Sequence, residues 1–293
     1  MPVLQRVSVS VKNILLASDF SSASDKAAAY AKALALNYRS CVEIAHVFDP
    51  SVVTSYVEAV FGLPVKERQQ ISTDALERLR QEFNAAGIET TVSQPEGHRP
   101  HVALLKLAQE NDTDLIVAGT HSRQGLERLV VGSTAEELIR NAHCPVLTVG
   151  PHATPLADGP LVFNKIIYAT DFSAEAAKAA VFALSFAQDS GAHLYYCHVS
   201  RSQDTPEERK SQDVIFKAAL KKMIPESSYE WCTPEVVVEH GEAAESILAL
   251  AERVHADLIV LGARNASFWL THVEHGLTPD LLAEAKCPVM TVC

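Results

Sequence analysis

The chain has 293 residues, 47% of them hydrophobic and 21% charged, with a formal net charge of −11. That length suits two domains, and the composition is that of a folded globular chain and not of a disordered one. The negative balance argues against a nucleic-acid backbone as partner, since binding one calls for a basic face. No apolar run reaches the ~18 residues of a membrane span. The opening stretch MPVLQRVSVSVKN lacks the basic-then-apolar pattern of a secretory signal. The expectation is a cytoplasmic protein with no nucleic-acid and no membrane partner. Cys41, Cys144, Cys197, Cys232, Cys287 and Cys293 form no CxxC pair. They predict buried free thiols, with Cys144 and Cys287, each followed by proline, serving as small apolar side chains.

In chain order, NILLAS from Asn13 is a continuous apolar run, as expected of a strand buried on both faces. Ser22–Asn37 is Ala-rich with helical spacing. CVEIAHVF predicts a strand, Ser72–Gly87 a helix and ETTVSQ a strand. HVALLKLAQEN predicts a helix, DLIVAG a strand, STAEELIRNA a helix and PVLTVG a strand. Strands alternating with helices give a parallel, doubly wound α/β sheet of five strands. The linker GPHATPLADGP (Gly150–Pro160) follows. The pattern then returns: KNILLASDFS as KIIYATDFS, EIAHV as LYYCHV, TDLIVAGT as ADLIVLGA, NAHCPVLTV as EAKCPVMTV. Asp19 to Asp171 and Val47 to Val199 both step by 152, and Gly119 to Gly262 and Cys144 to Cys287 by 143. The chain is two copies of one flavodoxin- or Rossmann-like domain, residues 1–150 and 161–293. Glu207–Met223 predicts a charged helix whose one apolar face covers the second sheet.

Ligands of such folds bind beyond the C-terminal ends of the strands. In the first copy ASDFS, HVFDP and GTHS all meet that edge. Gly119 ends a strand, where glycine lets another group approach the backbone. Gly132-Ser133-Thr134 opens a helix, whose free amides and partial positive charge suit phosphate. Ser133 and Glu136 also have the spacing of a capping box, which needs no ligand. The bare pattern fits both readings.

These segments together resemble the universal stress protein family in its tandem form, over nearly the whole chain. Its nucleotide-binding branch carries G-x2-G-x9-G-[ST] after the fourth strand. Gly119, Gly132 and Ser133 match, and Ser122 stands where the second glycine belongs. The resemblance implies an ATP or related adenine nucleotide, with or without magnesium and with no structural metal, held by Ala17, Ser18, Asp19, Val47, Ala118, Gly119, Ser122, Gly132, Ser133 and Thr134. The Val47 backbone would lie near adenine. Ser122 is expected to weaken binding, with Gly125 keeping the loop pliable. In the second copy Asn265, His275, Gly276 and Leu277 depart from the pattern, Phe268 and Trp269 add bulk, and Thr278-Pro279 reads as a helix cap. Asp171 persists there and has a structural reason to stay, since TDFS reads as the cap of the following helix.

Other candidates carry less. His46 and His198 recur at one repeat position and read as packed imidazoles. The pairs His98/His101 and His272/His275 lack the cysteine or carboxylate partners of a metal site. Arg99, at a helix start, reads as a solvated surface residue. The resemblance implies a stress-response binding protein with an unidentified regulatory partner. The alternatives are a slow ATPase or autokinase, disfavoured by the missing Walker motif, and a nucleotide-free scaffold. CPVLTV and CPVMTV are expected to pair, within the chain or in a homodimer, which would protect two sheet edges.

Overall fold

The computed structural model describes residues 6–51, 64–120, 132–156, 161–200, 205–262 and 277–293. Ser122, Gly125, Asn265, Phe268, Trp269, His272, His275 and Gly276 lie outside them.

The first copy runs β1 (Asn13–Ala17), α1 (Ser22–Tyr38), β2 (Cys41–Ala45), α2 (Val65–Ala85), β3 (Thr90–Ser93), α3 (Pro100–Glu110), β4 (Leu115–Gly119), α4 (Ser133–Asn141) and β5 (Val146–Val149). The second runs β6 (Lys165–Ala169), α5 (Ala174–Ser190), β7 (His193–Ser200), α6 (Pro206–Met223), a 3-10 turn (Glu226–Glu230), β8 (Thr233–His240), α7 (Ala243–Val254), β9 (Leu258–Gly262), α8 (Leu277–Glu284) and β10 (Val289–Val292). The ten strands form one sheet, ordered β3-β2-β1-β4-β5-β10-β9-β6-β7-β8. Every pairing is parallel except that of β5 with β10. The central strands are the continuous apolar runs of the sequence, and their side chains are buried on both faces. Strand order reverses between β1 and β4, and again between β6 and β9, which opens a crevice at the strand C-termini of each copy, the place where ligands of doubly wound folds bind.

The seam is a local dyad. Leu147 faces Met290, its own repeat equivalent, and Thr148 and Thr291 face Val289 and Val146. The Thr148 hydroxyl donates to the Val289 carbonyl at 2.9 Å, and Thr291 repeats the bond to Val146 at 3.4 Å. The expected pairing of CPVLTV with CPVMTV is therefore made within one chain. Because it is antiparallel, the two rims lie at opposite ends of the sheet. The helix layer of α1, α2, α5 and α6 shares one apolar core across the seam. Phe186 stands at its centre, with Tyr38 and Phe163 edge-on at 5.7 and 5.9 Å. Residues before β1 also cross over. The Val7 and Val9 amides donate to the buried Gln188 and Ser185 side chains, and Arg6 lies 3.9 Å above the Trp231 ring.

Several elements differ from the sequence expectation. α2 begins at Val65, after Pro64, seven residues before Ser72, because KERQQ forms a polar exposed first turn. β2 stops at Ala45; beyond it the His46 amide still donates to Ser93 of β3, and Phe48 bridges Glu96 past the end of that strand. α6 does cover its sheet through Phe216 and Leu220, but Val214 and Ile215 face outward at 70% and 64% exposure. Its N-terminus carries a capping box between Thr205 and Glu208. The linker's first half is anchored: Lys26 Nζ donates to the Pro151 and Ala153 carbonyls, and Ala153 is buried. Of the thiols, Cys41 is exposed and Cys293 half-buried, contrary to a wholly buried set. Cys144, Cys197 and Cys287 are buried, and burial pushes each up to about 12, which leaves them unreactive. Among the described residues no helix is long and apolar enough to cross a membrane.

Candidate functional site

The first rim is built on the turn that follows β1. Ala17 and Ser18 are buried, and the Ser18 amide donates to the Ala45 carbonyl, so the turn is tied to β2. Asp19 Oδ1 accepts from the Ser21 amide at 3.0 Å and from the Ser24 hydroxyl. Phe20 takes a left-handed φ of 58°. Ser21 then caps α1 by accepting from the Ser24 amide. The carboxylate of Asp19 is thus held rigid at the sheet edge. The second copy repeats the device: Asp171 Oδ1 accepts from the Ser173 amide, Phe172 has φ 62°, and Ser173 caps α5. The helix cap in both copies is the serine two residues after the aspartate, not the aspartate itself.

His46 braces this turn. Its Nδ1 lies 2.9 Å from the Ser18 carbonyl and its ring tilts against Phe20. Burial lowers its pKa, against the opposing pull of the Ser18 carbonyl and the Asp19 carboxylate. The imidazole is therefore neutral at neutral pH and donates from Nδ1. In the second copy His198 Nδ1 lies 2.8 Å from the Thr170 carbonyl. Both histidines are positioning residues, as their packed reading anticipates.

Val47 follows at the rim. The amides of His46 and Phe48 turn toward β3 and donate to Ser93 and Pro95. Alternation points the Val47 backbone the other way, toward the Asp19 turn, and among the described residues nothing takes up its N–H or carbonyl. Ala118 is buried within β4, and Thr120 closes the strand by donating from its amide to Val149.

Gly119 is explained by packing. A Cβ there would lie 2.6 Å from the carbonyl carbon and oxygen of Ala23 and 2.8 Å from the Ser24 amide. The group that needs the close approach is the first turn of α1. Gly262 is constrained alike, with a Cβ 2.5 Å from the Glu175 carbonyl carbon. The glycine persists in both copies for the same structural reason.

α4 opens at the rim. Its N-cap is Gly132, with extended backbone, and Ser133 is the first helical residue. The Ser133–Glu136 capping box is therefore not formed. Glu136 instead pairs with Arg140 at 2.8 Å, and glycine supplies no side-chain oxygen to the first-turn amides. Ser133 and Thr134 stand in that turn. Ser122, between β4 and α4, lies outside the described residues. In the second copy α8 begins at Leu277, so Pro279 falls within the first turn and removes one amide donor.

Sequence reasoning missed two features. Asp49 Oδ1 lies 2.7 Å from the Ser51 hydroxyl and 2.9 Å from His98 Nδ1, which is 3.3 Å from that hydroxyl. Both partners meet the same ring nitrogen, so this is not a nucleophile relay, which needs one partner on each. In the second copy, Phe216 packs 4.3 Å from His198 and stacks on Phe172 at 6.1 Å. The residues before the third helix also reverse charge: Arg99 precedes α3, while Glu242 precedes α7. Among the described residues no group of three or more His, Cys, Asp and Glu side chains could hold a metal ion.

The fold and the paired rims define a tandem, doubly wound α/β protein. The universal stress protein family model matches residues 10–150 and again 163–292. The chain belongs to that family, as two copies in tandem. A universal stress protein of Methanocaldococcus jannaschii is 33% identical over 149 residues, 47% of this chain and 81% of the relative. A Staphylococcus epidermidis relative is 30% identical over 148 residues, 50% of this chain and 89% of its own length. The crystal structure of a universal stress protein from Archaeoglobus fulgidus matches the fold of the whole chain, with TM-score 0.72, 20% identity, and 96% and 98% of the two chains covered.

Proposed function

We propose that the first copy binds one adenine nucleotide, ATP in the first instance, and that the chain acts as a regulatory binding protein. The reading rests on one juxtaposition. The topology brings to one sheet edge the Val47 backbone, which no bond takes up among the described residues, the fixed Asp19 carboxylate and the start of α4, whose Gly132 N-cap supplies no side-chain hydrogen bond. Val47 offers an N–H and a carbonyl, the pair of groups that an adenine edge needs. Asp19 accepts from an exocyclic amine or a ribose hydroxyl. The amides of Ser133 and Thr134, with their hydroxyls, receive phosphate oxygens, as helix N-termini do. Ala17, Ser18, Ala118 and Gly119 form the floor. Magnesium, if it accompanies ATP, comes bound to the phosphates. The second copy keeps the aspartate turn but is roofed by Phe216 and acidic before α7, so it carries no nucleotide in this reading.

A slow ATPase is the second reading. Among the described residues the rim offers little to activate water: Asp19 is engaged by its own turn, and His46, held to the Ser18 carbonyl through Nδ1, has only its Nε2 lone pair to offer. Protein purified without denaturation and then unfolded is expected to release about one adenine nucleotide per chain by mass spectrometry. Asp19→Ala should release far less, and Asp171→Ala as much as the parent. Release of none by the parent would leave the scaffold reading. Turnover well above background that disappears with Asp19→Ala would favour the enzyme.

A further inference from the structure

The N-terminal end of the second sheet, with the length of α7 from Glu245 onward, borders a cavity of about 780 Å³. It lies where the linker crosses between copies. Leu156, Leu161 and Phe163 of the linker form one wall, and Tyr30 of α1 closes one end. The opposite wall is a single stripe of α7: Glu245, Leu248, Ala249 and Glu252 fall at helical spacing i, i+3, i+4 and i+7. Its middle is apolar and both its ends are acidic. Glu284 stands at the rim beside Lys286.

The charges are unequal. Among the described lining residues four carboxylates (Glu245, Glu252, Asp257, Glu284) face one lysine, Lys286, so that lining is net negative. Asp257 accepts from the Asn164 and Lys165 amides at 2.8 and 3.0 Å, and Glu252 pairs with Lys286. Among the described residues Glu245 and Glu284 have no ion-pair partner. The matching stripe of α3 in the first copy reads Val102, Leu105, Lys106 and Gln109, with no carboxylate. The acidic ends are therefore particular to the helix that the linker crosses, and are not a property of the repeat.

We propose that this cavity is a second ligand site, which takes a small organic cation with an apolar body. The volume falls in the range of ligand pockets, about 300–1,000 Å³, and domain junctions are where such pockets concentrate. The apolar chain lies along Leu248, Ala249 and Leu161, and the cationic head sits between Glu245 and Glu284. Octyltrimethylammonium titrated into the full chain by calorimetry tests this. One saturable site per chain is expected, with octanoate about tenfold weaker or worse, because its carboxylate would meet two exposed carboxylates of its own sign. Ala249→Trp fills the cavity from the solvent side of α7 and should remove binding. Glu245→Gln with Glu284→Gln, both exposed and fold-neutral, should weaken it about tenfold. No saturation, equal binding of octanoate, or full affinity in the double glutamine variant overturns the proposal. None of these readouts depends on whether the first rim holds a nucleotide.

Discussion

Gly119→Val is expected to destabilise the first copy severely, whether or not nucleotide is present. The added Cβ alone would lie within 2.8 Å of three backbone atoms of α1, which belong to a helix and not to a flexible side chain. α1 would have to move off β4, and with it the capped turn of Asp19 and Ser21. Overpacking of this kind costs about 1–3 kcal/mol, and here the obstacle is backbone, so the upper end is expected. Gly262→Val meets the first turn of α5 in the same way and should cost a similar amount. Urea unfolding of both variants checks this. A Gly119 variant of unchanged stability with weakened nucleotide binding would instead make that glycine a phosphate contact.

Phe186→Ala is expected to cost about 3–5 kcal/mol, the range for removing a buried phenylalanine. Phe186 is 1% exposed and sits between Tyr38 of the first copy and Phe163, the last linker-side aromatic before β6. Its loss opens a void where the two copies share one core. The parent should melt in a single transition, because the sheet and that helix layer both run through the seam. The variant should melt earlier and in two steps, the junction having lost its cohesion while each copy keeps its own strands. A single, unshifted transition would show that the β5–β10 pairing alone holds the copies together.

The sequence announces this fold through its repeat. Four blocks that return in the same order, at offsets of 152 and then 143, mark two copies, and continuous apolar runs mark strands buried on both faces. The antiparallel seam is foreshadowed too, since CPVLTV and CPVMTV are apolar strands that would otherwise be exposed edges. What the sequence hides is geometric. Gly119 reads as a ligand contact because a motif contains it, yet its cause is the packing of α1. The clue is Gly262, retained in a copy whose loop has otherwise diverged. Gly132 and Ser133 are both credible caps, and only the backbone shows that glycine takes the role and leaves the first amides open. Pro64 marked the true start of α2, but the polar turn after it carries no apolar period. The roof of Phe216 over His198 is a tertiary contact from a helix eighteen residues downstream, and no local pattern encodes it.

The most direct test of a single nucleotide site in the first copy is calorimetric titration of ATP, with and without magnesium, into the parent chain and Gly132→Val. The valine should crowd the α4 amides while leaving the Asp19 turn and the seam unaltered. One site per chain, lost in the variant, is the predicted result. Absence of heat with the parent, together with no nucleotide released on unfolding it, would contradict the account.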